Sequence, residues 1–414
     1  MRRAVITGLG TVNPLGVGVR ASWPRILAGE NGIGPITRFD ASGHTARIEA
    51  AVDWDVDEHF TGPEQRKLDP FTQFALISTR EALADAGLGD IRELPESERE
   101  KFGAILGTGI GGITGILEQQ AVYVERGARR ISPHFVPRIM ANAVSGQVAI
   151  ANGLLGSVFT TSSACASSGH AIGLALQSIR SGESDLVVTG GAESSTTPLA
   201  LAGFCSAKAV STRNEEPELA SRPFDLERDG FVMGEGCGIL IVEELEHAKA
   251  RGATIYAELK GYGSTDDAHH ITAPKMDGEG PARAMTLAMR QGEISPDEVD
   301  YVNAHGTSTR YNDAIETRAI RSVFGAHADS IMVSSTKSMI GHLLGASSAV
   351  ELVATALSVH EGVVHPTRNL VTPDPECDLD YVPGEAREVV VRNALSNSLG
   401  FGGHNVSLLI GQLA

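Results

Sequence analysis

Residues 160–173 read TTSSACASSGHAIG, and the way this stretch folds decides how the rest of the chain is read. A β-branched run, SVFTT at 157–161, leads into it and predicts a strand. From Ala166 to Ser181 the pattern turns helical, with Ile172, Leu176 and Ile179 at i, i+4 and i+7. Gly182 follows as a stop signal. Ser162 or Ser163 is placed to cap the helix start. Cys165 therefore falls at a strand-to-helix turn. The unpaired amides and dipole of a helix N-terminus favour a thiolate there. The same amides can hold a developing oxyanion. The competing reading is a packed core thiol, since free cysteine is among the most buried residue types.

Working outward, strand-like and helix-like segments alternate. RRAVITGLG (2–10), KFGAILGTG (101–109), SDLVVTGGAES (184–194) and GCGILIVEE (236–244) read as strands. PFTQFALISTREALADAG (70–87) reads as an amphipathic helix ending at a glycine. Such alternation predicts an α/β protein with largely buried strands. The second half of the chain repeats this order. IYAELKGYGST (255–265) follows RRAVITGLGTV, and VDYVNAHGTST (299–309) follows KFGAILGTGIGG. IMVSSTKSMIGHLLGASSAVELVATAL (331–357) follows the cysteine segment itself: a β-branched strand, a Ser/Thr loop and a small-residue helix. REVVVRNALSNSLGFGGHNVSLLI (387–410) follows the last two strands of the first half. Four weak matches in one order argue for internal duplication. The split falls near residue 255, giving halves 1–254 and 255–414. No low-complexity linker lies between them, so they are expected to share one core.

Composition narrows the function. The 414 residues carry a formal net charge of −17. That excludes a general nucleic-acid or anionic-membrane binder, which needs a basic face. No apolar run reaches the ~18 residues of a membrane span. MRRAVITGLGTVNPLG at the start reads as a strand and turn rather than a secretory leader. The four cysteines, 165, 205, 237 and 377, form no CxxC pair. Neither a zinc site nor a disulfide framework is expected, and a reducing, cytoplasmic setting fits. GLGTVNPLG fails as a dinucleotide fingerprint, because Asn13 stands at the third glycine position and Pro14 follows. DLERDGFVMGEG (225–236) fails as a calcium loop, because position 12 is Gly236 rather than a bidentate glutamate. No cofactor is expected.

A cysteine nucleophile needs partners. His305 lies directly after the strand DYVNA, and His342 lies in SSTKSMIGHLLGASS with Lys337 just before it. Both histidines come at C-terminal strand ends, where α/β proteins place their sites. GFGGHN (400–405) is a glycine loop between strands that can bring a second backbone amide to a reacting carbonyl.

Together these residues resemble the β-ketoacyl-acyl-carrier-protein synthases, most closely the elongating synthase II type. The matching runs are SACASSGHAIG, RPFDLERDGFVMGEGCG, VNAHGTST, SSTKSMIGHLLGASSAVE and SNSLGFGGHN, spread over the whole chain. The resemblance implies the thiolase fold: two pseudo-duplicated halves stacked as five layers, α-β-α-β-α. It implies a homodimer and a partner, acyl carrier protein. It implies an acyltransferase of fatty acid biosynthesis that joins acyl-Cys165 to a decarboxylating malonyl unit. In that reading Cys165, His305 and His342 are catalytic, and the amides of Cys165 and Phe401 form the oxyanion hole. Lys337 and Glu351 form a supporting buried pair. Thr307, Thr309, Phe401 and Ile110 contact substrate. Arg66, Lys67, Arg129, Arg130 and Lys208 match a basic patch that docks the carrier. Asn303, Ala304, Glu351, Ser396 and Asn397 match a monovalent-cation site of some relatives, although the chemistry requires no metal. The departures are Ser163 where threonine is usual, Arg310-Tyr311-Asn312-Asp313 where proline often begins the segment, and His404 where threonine is common. Alternative readings are a ketosynthase of a type II polyketide or other secondary-metabolite pathway, a thiolase, and a non-catalytic synthase subunit. A thiolase needs a second catalytic cysteine, for which only Cys377 in DPECDLD is available.

Overall fold

The computed structural model describes residues 2–413. Ten strands carry the architecture. The first five are β1 (Ala4–Asn13), β2 (Phe102–Gly107), β3 (Val158–Thr161), β4 (Leu186–Glu193) and β5 (Gly236–Glu244). The second five are β6 (Ala257–Asp266), β7 (Tyr301–Asn303), β8 (Met332–Ser334), β9 (Asn393–Gly400) and β10 (His404–Gly411). Their spatial order is β8-β7-β9-β10-β6-β1-β5-β4-β2-β3. Within each set of five the order is third, second, fourth, fifth, first. The senses match as well. β2 pairs β3 and β4 in parallel, as β7 pairs β8 and β9. β5 lies antiparallel to β4 and β1, as β10 does to β9 and β6. The duplication in the sequence is thus a duplication of topology, and the two first strands join the halves through Ala4–Ile6 against Ala257–Leu259.

Six helices complete the layers: α1 (Pro70–Asp85), α2 (Ala143–Asn152), α3 (Ser167–Ser181), α4 (Glu279–Gly292), α5 (Arg310–Phe324) and α6 (Ser347–Glu361). On the outer face of the first half, Phe71, Phe74 and Val148 of α1 and α2 bury against Leu106, Val188 and Ile241. On the outer face of the second, Met285, Met289 and Ile320 of α4 and α5 bury against Val302, Leu395 and Leu409. Between the halves lie α3 and α6. Ile172, Leu176, Leu352 and Val353 meet Leu240 and Val242 on one side and Leu259, Val406 and Leu408 on the other. The strands turn back over these two helices, which gives five layers, α-β-α-β-α, the thiolase fold. Each buried Leu, Ile or Phe in these seams contributes about 1.5–3 kcal/mol by leaving water.

Two close approaches aim the layers at one place. A Cβ on Gly107 would meet Ser167 backbone carbon at 2.4 Å, so only glycine lets α3 start directly over the end of β2. A Cβ on Gly400 would come within 3.0 Å of the Ser163 carbonyl oxygen, so the end of β9 rests on the turn before α3.

Candidate active site

The turn between β3 and α3 is sharp. Ala164 holds φ 51°, a left-handed conformation that a residue with a Cβ adopts at a cost of about 1–2 kcal/mol. Neither Ser162 nor Ser163 caps the helix as the sequence suggests; the N-cap is Ala166, without a side-chain bond. Ser167, the first residue of α3, holds the strained turn instead. Its Oγ donates to the Ala164 carbonyl at 2.6 Å and accepts the Ser163 amide at 2.9 Å. His170, one turn into α3, holds the same elbow, with Nδ1 2.6 Å from Ser163 Oγ and Nε2 2.9 Å from Ser264 Oγ. Cys165 stands at the apex, half-buried.

The opposite half supplies the facing groups. His342 Nε2 lies 3.0 Å from Cys165 Sγ. The Leu344 amide donates to His342 Nδ1 at 3.3 Å, and Ser347 Oγ is 2.8 Å from the same nitrogen. An amide can only donate, so Nδ1 accepts and the ring's proton is on Nε2. His305 is arranged alike. Lys337 Nζ, a donor only, faces His305 Nδ1 at 3.4 Å, which leaves Nε2 as the protonated nitrogen. The two rings stand edge to face, centroids 5.4 Å apart. Burial, followed by the Lys337 charge, pushes both imidazoles well below their ordinary range, so both are neutral donors at pH 7. Lys337 is in turn ion-paired with Glu351, and both are buried. Burial raises Glu351 to about 7 against the pull of Lys337.

The thiol itself is pushed up to about 11 by burial. Lys337 and the amides of Phe401 and Cys165 oppose that rise, which shows where the stabilising charge lies. Phe401 sits at the tip of the β9–β10 hairpin, where Gly402 (φ 92°) and Gly403 (φ 83°) make the reversal. The three reactive groups open into one cavity of about 460 Å³, which Ile110, Thr307, Thr309, Phe401 and Lys208 also line. Thr307 and Thr309 are joined through their hydroxyls at 2.9 Å.

Several supporting residues escape sequence reading. Glu193, buried at the end of β4, accepts the amides of Gly109 at 2.7 Å and Gly345 at 3.2 Å, tying the Ile110 loop to the His342 loop. Glu316 of α5 accepts the amides of His305 at 2.8 Å and Gly306 at 2.9 Å. Phe231 packs its edge on the His342 ring, centroids 5.2 Å apart. A buried acid at a strand end is the signal that marks Glu193; Glu316, eleven residues past His305 on a polar helix, has none.

Of the five residues matched to a cation site, three present buried oxygens without a partner: Asn303 Oδ1, Glu351 Oε2 and Ser396 Oγ. Asn303 and Ser396 are register partners on β7 and β9. These hard oxygens fit a small cation. Ala304 follows Asn303 and is fully buried, so only its carbonyl is available to such a site. The Asn397 side chain points elsewhere, accepting Ser407 Oγ at 2.8 Å, so it too offers only its carbonyl. Of the basic residues, Lys208 lines the cavity, whereas Arg66, Lys67, Arg129 and Arg130 do not. All five are exposed. Arg92 and Arg138 have carboxylate partners; these five have none among the described residues. Cys377 is buried and outside the cavity, which counts against a thiolase.

Comparison with known proteins gives the family. Residues 1–248 match the family model of the beta-ketoacyl synthase N-terminal domain, and residues 256–371 that of its C-terminal domain. A curated 3-oxoacyl-[acyl-carrier-protein] synthase 2 of Synechocystis sp. is 49% identical over 98% of this chain and 97% of its own. A crystal structure of a beta-ketoacyl synthase from Burkholderia phymatum superposes with TM-score 0.91 at 36% identity, covering all of both chains. A ketosynthase of a type II polyketide synthase, solved with its acyl-carrier protein, superposes with TM-score 0.90 at 37% identity, again over all of both chains.

Proposed function

The chain belongs to the β-ketoacyl synthase family, and from that premise we propose that it is a 3-oxoacyl-[acyl-carrier-protein] synthase that elongates fatty acyl chains by decarboxylative Claisen condensation. The observation that carries this reading is the placement of one cysteine sulfur and two Nε2–H donors around a single cavity. First, Cys165 Sγ attacks the thioester of acyl carrier protein. The amides of Cys165 and Phe401 receive the oxyanion, and the thiol proton leaves on the carrier's sulfur. The exchange is proton-neutral, so a thiol with a raised pKa suffices. Second, malonyl carrier protein enters. Nε2–H of His305 and of His342 donate to its thioester oxygen. The electron pair of the breaking C–CO2 bond moves onto that oxygen as enolate, and CO2 departs. Fixed donors aimed at developing charge are worth about 10²–10³ in rate apiece. Third, the enolate carbon attacks the acyl-Cys165 carbonyl. Collapse expels the Cys165 thiolate, which takes a proton from water, and 3-oxoacyl carrier protein leaves two carbons longer. Neutral histidines suit this sequence, because each step asks them for a hydrogen bond and none asks them for a proton.

Lys337, with Glu351 beside it, holds His305 in its donor tautomer. Thr307, Thr309, Phe401 and Ile110 contact the pantetheine arm and acyl chain. Asn303, Glu351 and Ser396, with the carbonyls of Ala304 and Asn397, would hold a monovalent cation, which would supply positive charge beside Glu351. The acidic carrier docks on Arg66, Lys67, Arg129, Arg130 and Lys208, whose lack of partners in so acidic a chain supports that role. A homodimer forms along β3, which leaves Val158 and Phe159 exposed. No described helix is long and apolar enough to cross a membrane, and we place the enzyme in the cytoplasm.

The test is intact mass after incubation with a medium-chain acyl carrier protein. The wild type gains one acyl group and Cys165→Ala gains none; adding malonyl carrier protein then yields an acyl chain two carbons longer. A folded wild type that gains no mass overturns the proposal. The 37% identity to the polyketide ketosynthase supports a second reading. Repeated unreduced extension in the same incubation favours it over a single round.

A further inference from the structure

The wall of the cavity that carries Thr307 and Thr309 ends in a cation that the condensation leaves idle. Burial falls along this segment: His305 and Thr307 are buried, Thr309 is half-buried, and Arg310, the first residue of α5, is exposed. All four line the one cavity, so the segment climbs from the reacting groups to the mouth. The backbone at the rim is fixed from beneath. Buried Arg228 donates from Nε to the Thr309 carbonyl at 3.1 Å and from Nη2 to the Arg310 carbonyl at 2.9 Å. Its Nη1 donates to Asp374 at 2.6 Å. Above that anchor, the Arg310 guanidinium has no ion-pair or hydrogen-bond partner among the described residues, whereas Arg222 and Arg228 both have carboxylates. Two acids line the cavity, and both are engaged. Asp229 accepts the Thr212 amide at 3.1 Å, and Asp267 accepts Asn405 Nδ2 at 2.8 Å and the Lys275 amide at 3.1 Å. Lys208 is the one other lysine or arginine on this wall.

We propose that Arg310 binds the phosphodiester of the carrier's pantetheine arm, so that the cavity mouth selects phosphorylated arms. This rests on the condensing-enzyme reading and deepens it. Length supports the match. From sulfur to phosphorus the arm is about thirteen bonds, roughly 15 Å at the pitch of an extended chain. The five residues from His305 to Arg310 span at most about 17 Å. Gly306 (φ 38°) and Ser308 (φ 67°) shorten that path. A thioester held beside His305 therefore puts its phosphate within reach of the Arg310 side chain. The chemistry matches too. A guanidinium offers two parallel N–H donors to a phosphate, where an ammonium offers a point charge. With its backbone pinned by Arg228, Arg310 loses little more than side-chain freedom on binding. Proline, frequent here in the family, offers neither charge nor donor.

The experiment compares three donors of one medium-chain acyl group at subsaturating concentration. They are acyl pantetheine, acyl phosphopantetheine capped as its methyl diester to keep the carrier's single charge, and acyl carrier protein. The readout is the rate at which Cys165 gains the acyl group, by intact mass, in wild type, Arg310→Gln, Arg310→Lys and Lys208→Gln. The proposal expects the wild type to favour the phosphorylated small donor about fivefold, less as salt is added. Arg310→Gln brings that ratio to one, Arg310→Lys keeps part of it, and Lys208→Gln keeps most. A ratio of one in an acylated wild type overturns the proposal alone. So does a ratio that survives Arg310→Gln or vanishes with Lys208→Gln. An Arg310→Gln loss seen only with the carrier assigns Arg310 to the carrier's acidic side chains and overturns the phosphate contact. A folded wild type that no donor acylates overturns the condensing-enzyme reading, and this proposal with it.

Discussion

At one end of the sheet β3 leaves Val158 38% and Phe159 39% exposed, while at the other end its topological counterpart β8 is covered. The Asp380 carbonyl accepts the Val333 amide at 2.8 Å, and Thr367 Oγ1 accepts the Ser335 amide at 3.2 Å. An uncovered apolar edge strand is a template for pairing with another chain, and proteins rarely leave one free. Ile150 and Leu155, near β3 in the chain, are exposed too. One end of a duplicated fold is thus closed by the chain's own segment between α6 and β9, and the other is left open. The turns that leave these two strands have diverged in the same way. Residues 162–166 join β3 to α3 in one tight elbow that lifts a thiol onto a helix N-terminus. Residues 335–346 join β8 to α6 in a longer loop that carries Lys337 and His342. The shared topology fixes where both turns meet; the short turn presents the thiol and the longer one carries Lys337 and His342.

The largest effect expected from breaking this asymmetry is on assembly. Val158→Lys with Phe159→Lys loses about 2 kcal/mol per copy, hence about 10³-fold in dimer dissociation constant. Met332→Lys at the closed end leaves the oligomeric state unchanged by sedimentation. Equal effects at both ends would remove the distinction. The elbow is next. With the thiol raised to about 11 by burial, it is protonated at neutral pH, and its thiolate fraction grows about tenfold per pH unit below that value. Alkylation of Cys165 by iodoacetamide should therefore climb about 10³-fold from pH 7 to 10. An inflection near 8 contradicts the burial argument. The donor loop is probed by Glu316→Gln, which gives up one of two amide bonds to a carboxylate, about 1.5–3 kcal/mol. The expected result is a fall of about tenfold or more in condensation, with acylation of Cys165 little changed. The smallest effect is at the surface. Arg129→Glu with Arg130→Glu should raise KM for the carrier severalfold, more at low salt, while alkylation of Cys165 stays at the wild-type rate.

Much of this was legible in the sequence because it is local. Period and glycine placement gave the strands, the start of α3 and the duplication, since each rests on a few neighbouring residues. The place of Cys165, His305 and His342 at strand ends marked them as candidates, and their roles followed from the resemblance to β-ketoacyl synthases. What sequence could not supply is what distant segments do to each other. The cap on α3 was misread because the left-handed Ala164 turns both upstream serines away, and only then does Ser167 become the residue that holds the turn. Glu316 leaves no trace, since a carboxylate that accepts two loop amides needs no periodicity, and Glu193 shows only as an acid closing an apolar strand. The openness of β3 was hidden as well: VFTT reads as a strand, and nothing in four residues tells an edge from an interior.

The division of labour between the halves is tested most directly by His305→Ala, with two readouts from one reaction mixture. Intact mass with acyl carrier protein reports the elbow, and extended product after adding malonyl carrier protein reports the donors. The account predicts that the acyl group still appears on Cys165 while condensation falls about 10²–10³-fold. Loss of acylation together with condensation, or condensation at the wild-type rate, would contradict it.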